Sequence, residues 1–201
     1  MANPPIKLIV GLGNIGREYE QTRHNAGFWF ADAVARKYGA FFQEQKKFFG
    51  SLAKFRAAGQ EVLILKPSTL MNRSGQAVAA VAQFYKIKPE EIVVAHDELD
   101  LMPGIRKFKK GGGTGGHNGL KSISQCLGTQ DYYRIRFGIG HPRTLGLPMD
   151  VSDFVLGKPS SEDMRKIEDK VDYVVPAVDD LVNGDIKAAT LFINTQNEPK
   201  K

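Results

Sequence analysis

The chain holds one cysteine, Cys126, in 201 residues. A lone thiol makes no internal disulfide and no multi-cysteine zinc site, which excludes a secreted disulfide scaffold and a zinc ribbon and fits a reducing, cytoplasmic setting. No apolar run reaches the roughly 18 residues needed to span a bilayer, and the start Met-Ala-Asn-Pro-Pro lacks the basic stretch and apolar core of a signal peptide. The expectation is a soluble protein that is neither exported nor membrane-bound. His24, His96, His117 and His141 include no His-x-x-x-His pair, so zinc is not indicated. No Ser or Cys occupies a nucleophile-elbow motif. Internal repeats are absent too.

What is present is a positive charge that belongs to one stretch. The net charge of +6 divides unevenly: residues 101–145 carry 8 basic and 1 acidic side chain, whereas residues 1–100 carry 13 and 10, and residues 146–201 carry 7 and 11. Such a local excess is what a phosphate-rich partner would meet.

Apolar runs at Ile6–Val10, Glu61–Lys66 and Ile92–Ala95 read as buried strands, with further strands at Phe48–Phe55 and Tyr133–Ile139. Helical spacing follows the first run, from about Asn25 to Gly39, and the second, through Ala77, Val78, Val81, Ala82 and Tyr85. Beyond residue 145, a stripe from Met164 to Leu181 predicts a packing helix capped by Ser160 and stopped near Gly184, then a short helix from about Asp185. This alternation predicts a single α/β domain over residues 1–194, with three α/β/α layers and a mixed, largely parallel twisted sheet. Residues 195–201 are expected to form a disordered tail. Ligands of such sheets sit beyond the carboxyl ends of the strands. Asn14 and His24 follow the first run, Met71 and Asn72 the second, and Asp97 the third, so they are expected to gather along one edge.

Gly11-Leu12-Gly13-Asn14-Ile15-Gly16 matches the three-glycine dinucleotide pattern but not its context. Arg17–Arg23 intervene before helical spacing begins, and Asp32 falls inside the helix instead of ending a second strand. A tight turn that aims Asn14 into a cleft is the better reading. His24, beside the candidate cap Asn25, is on the bland view a surface histidine. Held by a strand-end carboxylate, and with no nucleophile motif, it would instead suit activation of water as a general base. Asp97, Glu98 and Asp100 could ligate Mg²⁺, but amides and not further carboxylates arrive at the other strand ends. The glycine-rich loop 111–119 follows Arg106-Lys107-Phe108-Lys109-Lys110. Lys107 and Lys109 share one face of that strand, as do Arg134 and Arg136 of a later one. A solvated edge strand is the plain alternative. A patch meeting nucleic-acid backbone is the sharper one, since no aromatic residues interleave for base stacking.

In combination these segments resemble the bacterial peptidyl-tRNA hydrolases. The matching stretches are Leu8–Asn14, Tyr19–Gly27, Lys66–Gly75, His96–Asp100, Gly111–Leu120 and Arg134–Pro142. Ile15 stands where the family motif usually has proline, which changes turn stiffness and removes no polar group. The resemblance implies hydrolysis of the ester joining a peptide to the terminal ribose of tRNA, without metal or cofactor. By it, His24 would be the general base and Asp97 its orienting partner. Asn14, Asn72 and Asn118 would hold substrate, water or oxyanion, with Tyr19 and Met71 lining the substrate site. Lys107, Lys109 and Arg136 would meet tRNA phosphates, and residues 140–155 would form a lid. The expected partner is peptidyl-tRNA, and the expected state is a monomer.

Overall fold

The computed structural model describes residues 3–196. Its strands are β1 (Leu8–Gly11), β2 (Gln43–Gln45), β3 (Gly50–Ala57), β4 (Gln60–Pro67), β5 (Ile92–Glu98), β6 (Arg106–Lys110) and β7 (Tyr133–Gly138). They form one sheet in the order β2-β3-β4-β1-β5-β7-β6. The centre is parallel: β1 pairs with both β4 and β5, and β5 with β7. Both flanks are antiparallel, through β2–β3–β4 on one side and β6–β7 on the other. The sheet is therefore mixed, with its parallel part confined to the four inner strands.

Of these, β1, most of β4 and Ile92–Ala95 of β5 read as unbroken apolar runs because helices cover both faces, whereas β7 alternates with Arg134 and Arg136. Ile9, Ile64, Val93 and Ala95 face a core shared with α1 (Ala26–Tyr38), α5 (Ser161–Val174), α6 (Ala177–Val182) and α7 (Ile186–Asn194). Their neighbours Leu8, Val10, Leu65 and Val94 face the opposite core, under α2 (Ser74–Tyr85) and α3 (Asn118–Leu127). This is the three-layer arrangement. The stripe expected to form one helix from residue 164 to 181 is broken into α5 and α6 around Pro176, which lacks the N–H a continuous helix needs. Ser160 caps α5 by accepting from Asp163 N–H at 3.1 Å, and Asp185 caps α7 through Ala188 N–H, also 3.1 Å.

The free edge of β6 is covered from α7. Asn194 accepts from Phe108 N–H at 2.7 Å and donates to the Phe108 carbonyl, while Gln196 donates to the Arg106 carbonyl at 2.9 Å. Thr195 and Gln196, the first residues of the expected tail, are thus held against Arg106, which also donates to both. The rest of that tail lies outside the described residues.

Close backbone packing sets the site. A Cβ on Gly11 would lie 2.2 Å from the Gly27 carbonyl oxygen, and one on Gly27 would lie 2.4 Å from the Ala95 carbonyl oxygen. Glycine at both positions lets α1 touch the ends of β1 and β5. The three-glycine motif thus serves close packing, with Asp32 of α1 paired to Lys66 at 2.7 Å.

Candidate active site

The parallel strands deliver their polar followers to one edge, as expected. A cavity of about 360 Å³ opens there, lined by Asn14, Tyr19, His24, Met71, Asn72, Asp97 and Asn118 among others. All seven residues expected to form the catalytic and substrate-binding set meet in this one cleft. Leu70, Val151 and Leu156, all exposed apolar side chains, form part of its wall.

At the floor lies Asp97, the last residue but one of β5 and buried. His24 Nδ1 lies 2.7 Å from its Oδ2, and His117 Nε2 lies 2.8 Å from its Oδ1. The proton positions follow from the network. His117 caps α3: its Nδ1 accepts the N–H groups of Gly119 and Leu120 at 3.1 and 3.4 Å. That nitrogen carries no proton, so Nε2 holds it and donates to Asp97. An ionised carboxylate only accepts, so His24 also donates, through Nδ1. Its Nε2 is the nitrogen left with a lone pair, and His24 lines the cleft.

Charge follows this wiring. Burial alone would push the Asp97 carboxyl up, but His24 and His117 together hold it far below the usual carboxylate range. Burial opposes a charged ring at His24, yet the Asp97 charge and hydrogen bond outweigh it and leave the pKa above the ordinary histidine value. His96, its neighbour on β5, is fully buried. That burial above all, with repulsion from His117, presses its pKa down to about 3 and keeps it neutral. The His96 ring donates from Nδ1 to the Asp97 carbonyl at 2.8 Å and packs edge-on against His117, centroids 5.1 Å apart.

Asn14 is fixed from both sides. Its backbone N–H donates to Asn25 Oδ1 at 2.8 Å, Asn25 Nδ2 returns a bond to its carbonyl at 3.0 Å, and Met71 N–H donates to its Oδ1 at 2.9 Å. With Oδ1 spent on Met71, the Asn14 NH₂ group is the end left to donate to a ligand. Asn25 was expected to cap α1, but its side chain makes no capping bond and braces Asn14 instead. Arg23, one residue before His24, donates to the Phe154 carbonyl at 2.9 Å and stacks over the Phe154 ring. It thereby pins α4 (Val151–Val155), within the expected lid, to the turn carrying His24.

His24, Asp97 and His117 also form a set whose ligand atoms lie within 4.8 Å of one another, which could hold a metal ion. One nitrogen of each imidazole already faces an Asp97 oxygen at hydrogen-bond distance, so a cation bound through those two nitrogens and the carboxylate would have to displace both protons.

The basic residues lie beside the cleft. Lys107 on β6 sits opposite Arg136 on β7, and Lys109 opposite Arg134. Arg136 Nε donates to Glu98 at 2.8 Å, and Glu98 itself lines the cleft, so the patch and the cavity meet at that ion pair. Lys107 is exposed and Lys109 half-buried. Burial first, then Arg136 and Arg134, lower the Lys109 pKa.

The sequence reading gave His117 no site role, took Asn25 for a helix cap and set Arg134 with Arg136 among the phosphate contacts. A signal existed only for α3, where Leu120, Ile123 and Leu127 repeat at helical spacing after the glycine loop.

Fold and site together define a class: a three-layer α/β protein whose central strand ends in an imidazole–carboxylate–imidazole network opening on a cleft rimmed by amides. The family model "Peptidyl-tRNA hydrolase" matches residues 8–201. The chain is 59% identical over 191 residues to the peptidyl-tRNA hydrolase of Neisseria gonorrhoeae, covering 95% of this chain and 98% of that one. It is 53% identical over 193 residues to the Bordetella parapertussis enzyme, covering 96% and 90%. The crystal structure of peptidyl-tRNA hydrolase from Acinetobacter baumannii superposes with a TM-score of 0.90 at 46% identity, covering 94% of this chain and 95% of that one. The chain belongs to the peptidyl-tRNA hydrolase family. No helix among the described residues is long and apolar enough to cross a membrane.

Proposed function

We propose that the protein hydrolyses the ester between a peptide, or an N-blocked aminoacyl group, and the terminal ribose of tRNA in the cytoplasm, acting as a monomer without metal or cofactor. The observation that carries this reading is the wiring of Asp97. It takes one N–H from each of two imidazoles and leaves Nε2 as the free base of His24, a residue that lines the cleft.

In the reaction, His24 Nε2 takes a proton from water as the water oxygen attacks the ester carbonyl. The imidazolium is held by Asp97, and the tetrahedral oxyanion accepts from side-chain amides, with Asn14, Asn72 and Asn118 placed around the cavity to donate. Collapse breaks the bond to the ribose oxygen, which receives the proton from His24. The carboxylic acid and the free hydroxyl of tRNA are released. General-base catalysis contributes about 10² to 10⁴ in rate and one oxyanion donor on the order of 10² to 10³, enough for an activated ester. Tyr19 and Met71 contact the acyl group, and Leu70, Val151 and Leu156 give its side chains an apolar wall. Lys107, Lys109 and Arg136 contact tRNA phosphates next to the cleft.

The direct test is release of free tRNA from N-acetyl-aminoacyl-tRNA by protein dialysed against a chelator. Turnover should persist at its untreated rate. Absence of turnover before dialysis would contradict the assignment, and loss that Mg²⁺ or Zn²⁺ restores would move the chemistry to a metal at the His24–Asp97–His117 cluster.

A further inference from the structure

We infer that Arg134 is a positioning residue for this reaction, its buried guanidinium clamping the glycine-rich loop that presents His117 and Asn118 to the cleft. The inference rests on the function proposed above. By spacing alone Arg134 belongs with Arg136, Lys107 and Lys109 as a phosphate contact, and strand pairing places it beside them. Its side chain departs from theirs: Arg134 is 1% exposed.

Both terminal nitrogens of the guanidinium donate to backbone carbonyls, while Nε is buried without a hydrogen-bond partner. Nη1 donates to the Gly113 carbonyl at 2.5 Å, and Nη2 to those of Gly112 at 2.7 Å and Gln130 at 3.3 Å. Its Cζ lies over the Tyr132 ring, 4.6 Å from the centroid. The Tyr132 hydroxyl in turn bonds the Ser124 hydroxyl at 2.9 Å and reaches the Leu120 carbonyl at 3.3 Å, both on α3. One cation therefore ties the start of the loop to the underside of the helix that the loop feeds. A planar fork can bridge two successive carbonyls in this way, and a lysine ammonium cannot reproduce it.

The loop needs such a clamp. Gly111, Gly112, Gly115 and Gly116 all have positive φ, and a Cβ on Gly113, Gly115 or Gly116 would meet nothing within 4 Å. Side chains lie against the start of the loop, Asp131 at Gly111 and Lys109 at Gly112, but not against Gly113, Gly115 or Gly116. Only Thr114, Gly115 and Gly116 separate the clamped Gly113 from His117, whose N–H closes a turn onto the Thr114 carbonyl at 2.9 Å. The position of the carbonyls under Arg134 thus decides where His117 meets Asp97 and where Asn118 enters the cleft.

The test is Arg134→Lys, which keeps the charge and removes the fork. Since a misplacement of about 1 Å can cost on the order of 10²-fold, kcat is expected to fall at least about tenfold with KM for peptidyl-tRNA changed less than about twofold. The salt dependence of tRNA binding should match wild type. The acid limb of the kcat/KM profile should move to higher pH, because an Asp97 that loses the His117 N–H holds the His24 imidazolium more tightly. A merely destabilising change would leave that limb in place. In a parallel Arg134→Gln variant, which removes the charge, a salt slope reduced by about one charge with unchanged kcat would make Arg134 a phosphate contact and overturn the inference. So would wild-type behaviour of Arg134→Lys in all three measurements.

Should the variant not fold, the guanidinium NMR resonances of the wild-type protein decide. On addition of deacylated tRNA, those of Arg134 should hold their positions while those of Arg136 shift, and a shift of Arg134 as large as that of Arg136 overturns the clamp. An inactive His24→Ala beside a fully active Arg134→Lys removes this inference and leaves the catalytic reading intact.

Discussion

At the scale of single residues, the account turns on which nitrogen of His24 carries a proton. The raised pKa has two consequences of opposite sign. As a base, His24 works only when neutral, so kcat/KM should fall as pH drops through a midpoint above the roughly 6.5 of an ordinary histidine. As a partner of Asp97, its charged form stabilises the fold. That stability is fully present below the unfolded value and is lost as pH rises through the raised one. The ion pair is therefore strongest where the enzyme is inactive. In Asp97→Asn, the acid limb of the pH–rate profile should move to lower pH, and a limb that stays put would assign it to a group other than His24.

Asn14, His24 and Asp97 were legible in the sequence because each follows an apolar run, and parallel strands turn such separations into proximity. His117 was hidden by its chemistry: an imidazole capping a helix does not match the Ser, Thr, Asp and Asn pattern that marks helix starts. Asn25 sits where a cap would and braces Asn14 instead, a choice set by tertiary contact.

At the scale of elements, the glycines at the β1–α1 junction carry a prediction in which two effects compete. Gly27→Ala gains up to about 1 kcal/mol of helix propensity. Its new Cβ would sit 2.4 Å from both the Ala95 carbonyl oxygen and the Leu12 nitrogen, and backbone cannot swing away as a side chain can. Overpacking costs about 1–3 kcal/mol, so the net change should be destabilising, read as a lower urea midpoint with an unaltered slope. A rise in the midpoint would mean that α1 can lift off the sheet freely. Strands β1, β4 and β5 were readable because burial on both faces makes their apolar runs continuous, and β7 through the alternation of Tyr133, Ile135 and Phe137 with its arginines. Helix α3 was obscured by the glycine loop before it, and the α5–α6 break by a stripe that continues across Pro176.

For the whole molecule, the charge count overstates the surface that tRNA would meet. Arg106 and Arg134 of the basic stretch are buried at 1% exposure, and Arg136 is paired with Glu98. Lys107, Lys110, Lys121 and Arg143 are the exposed cations of that stretch. Lys107→Ala should lower the salt slope of tRNA binding by about one charge and leave kcat near wild type. An unchanged slope across a salt series would place the tRNA elsewhere on the surface.

The central claim is that one imidazole, fixed by Asp97, activates water on a tRNA ester. It is tested most directly by His24→Ala, measured for hydrolysis of N-acetyl-aminoacyl-tRNA and for binding of deacylated tRNA side by side. The account predicts a loss of about 10² to 10⁴ in kcat with tRNA affinity unchanged. Hydrolysis at the wild-type rate would contradict it.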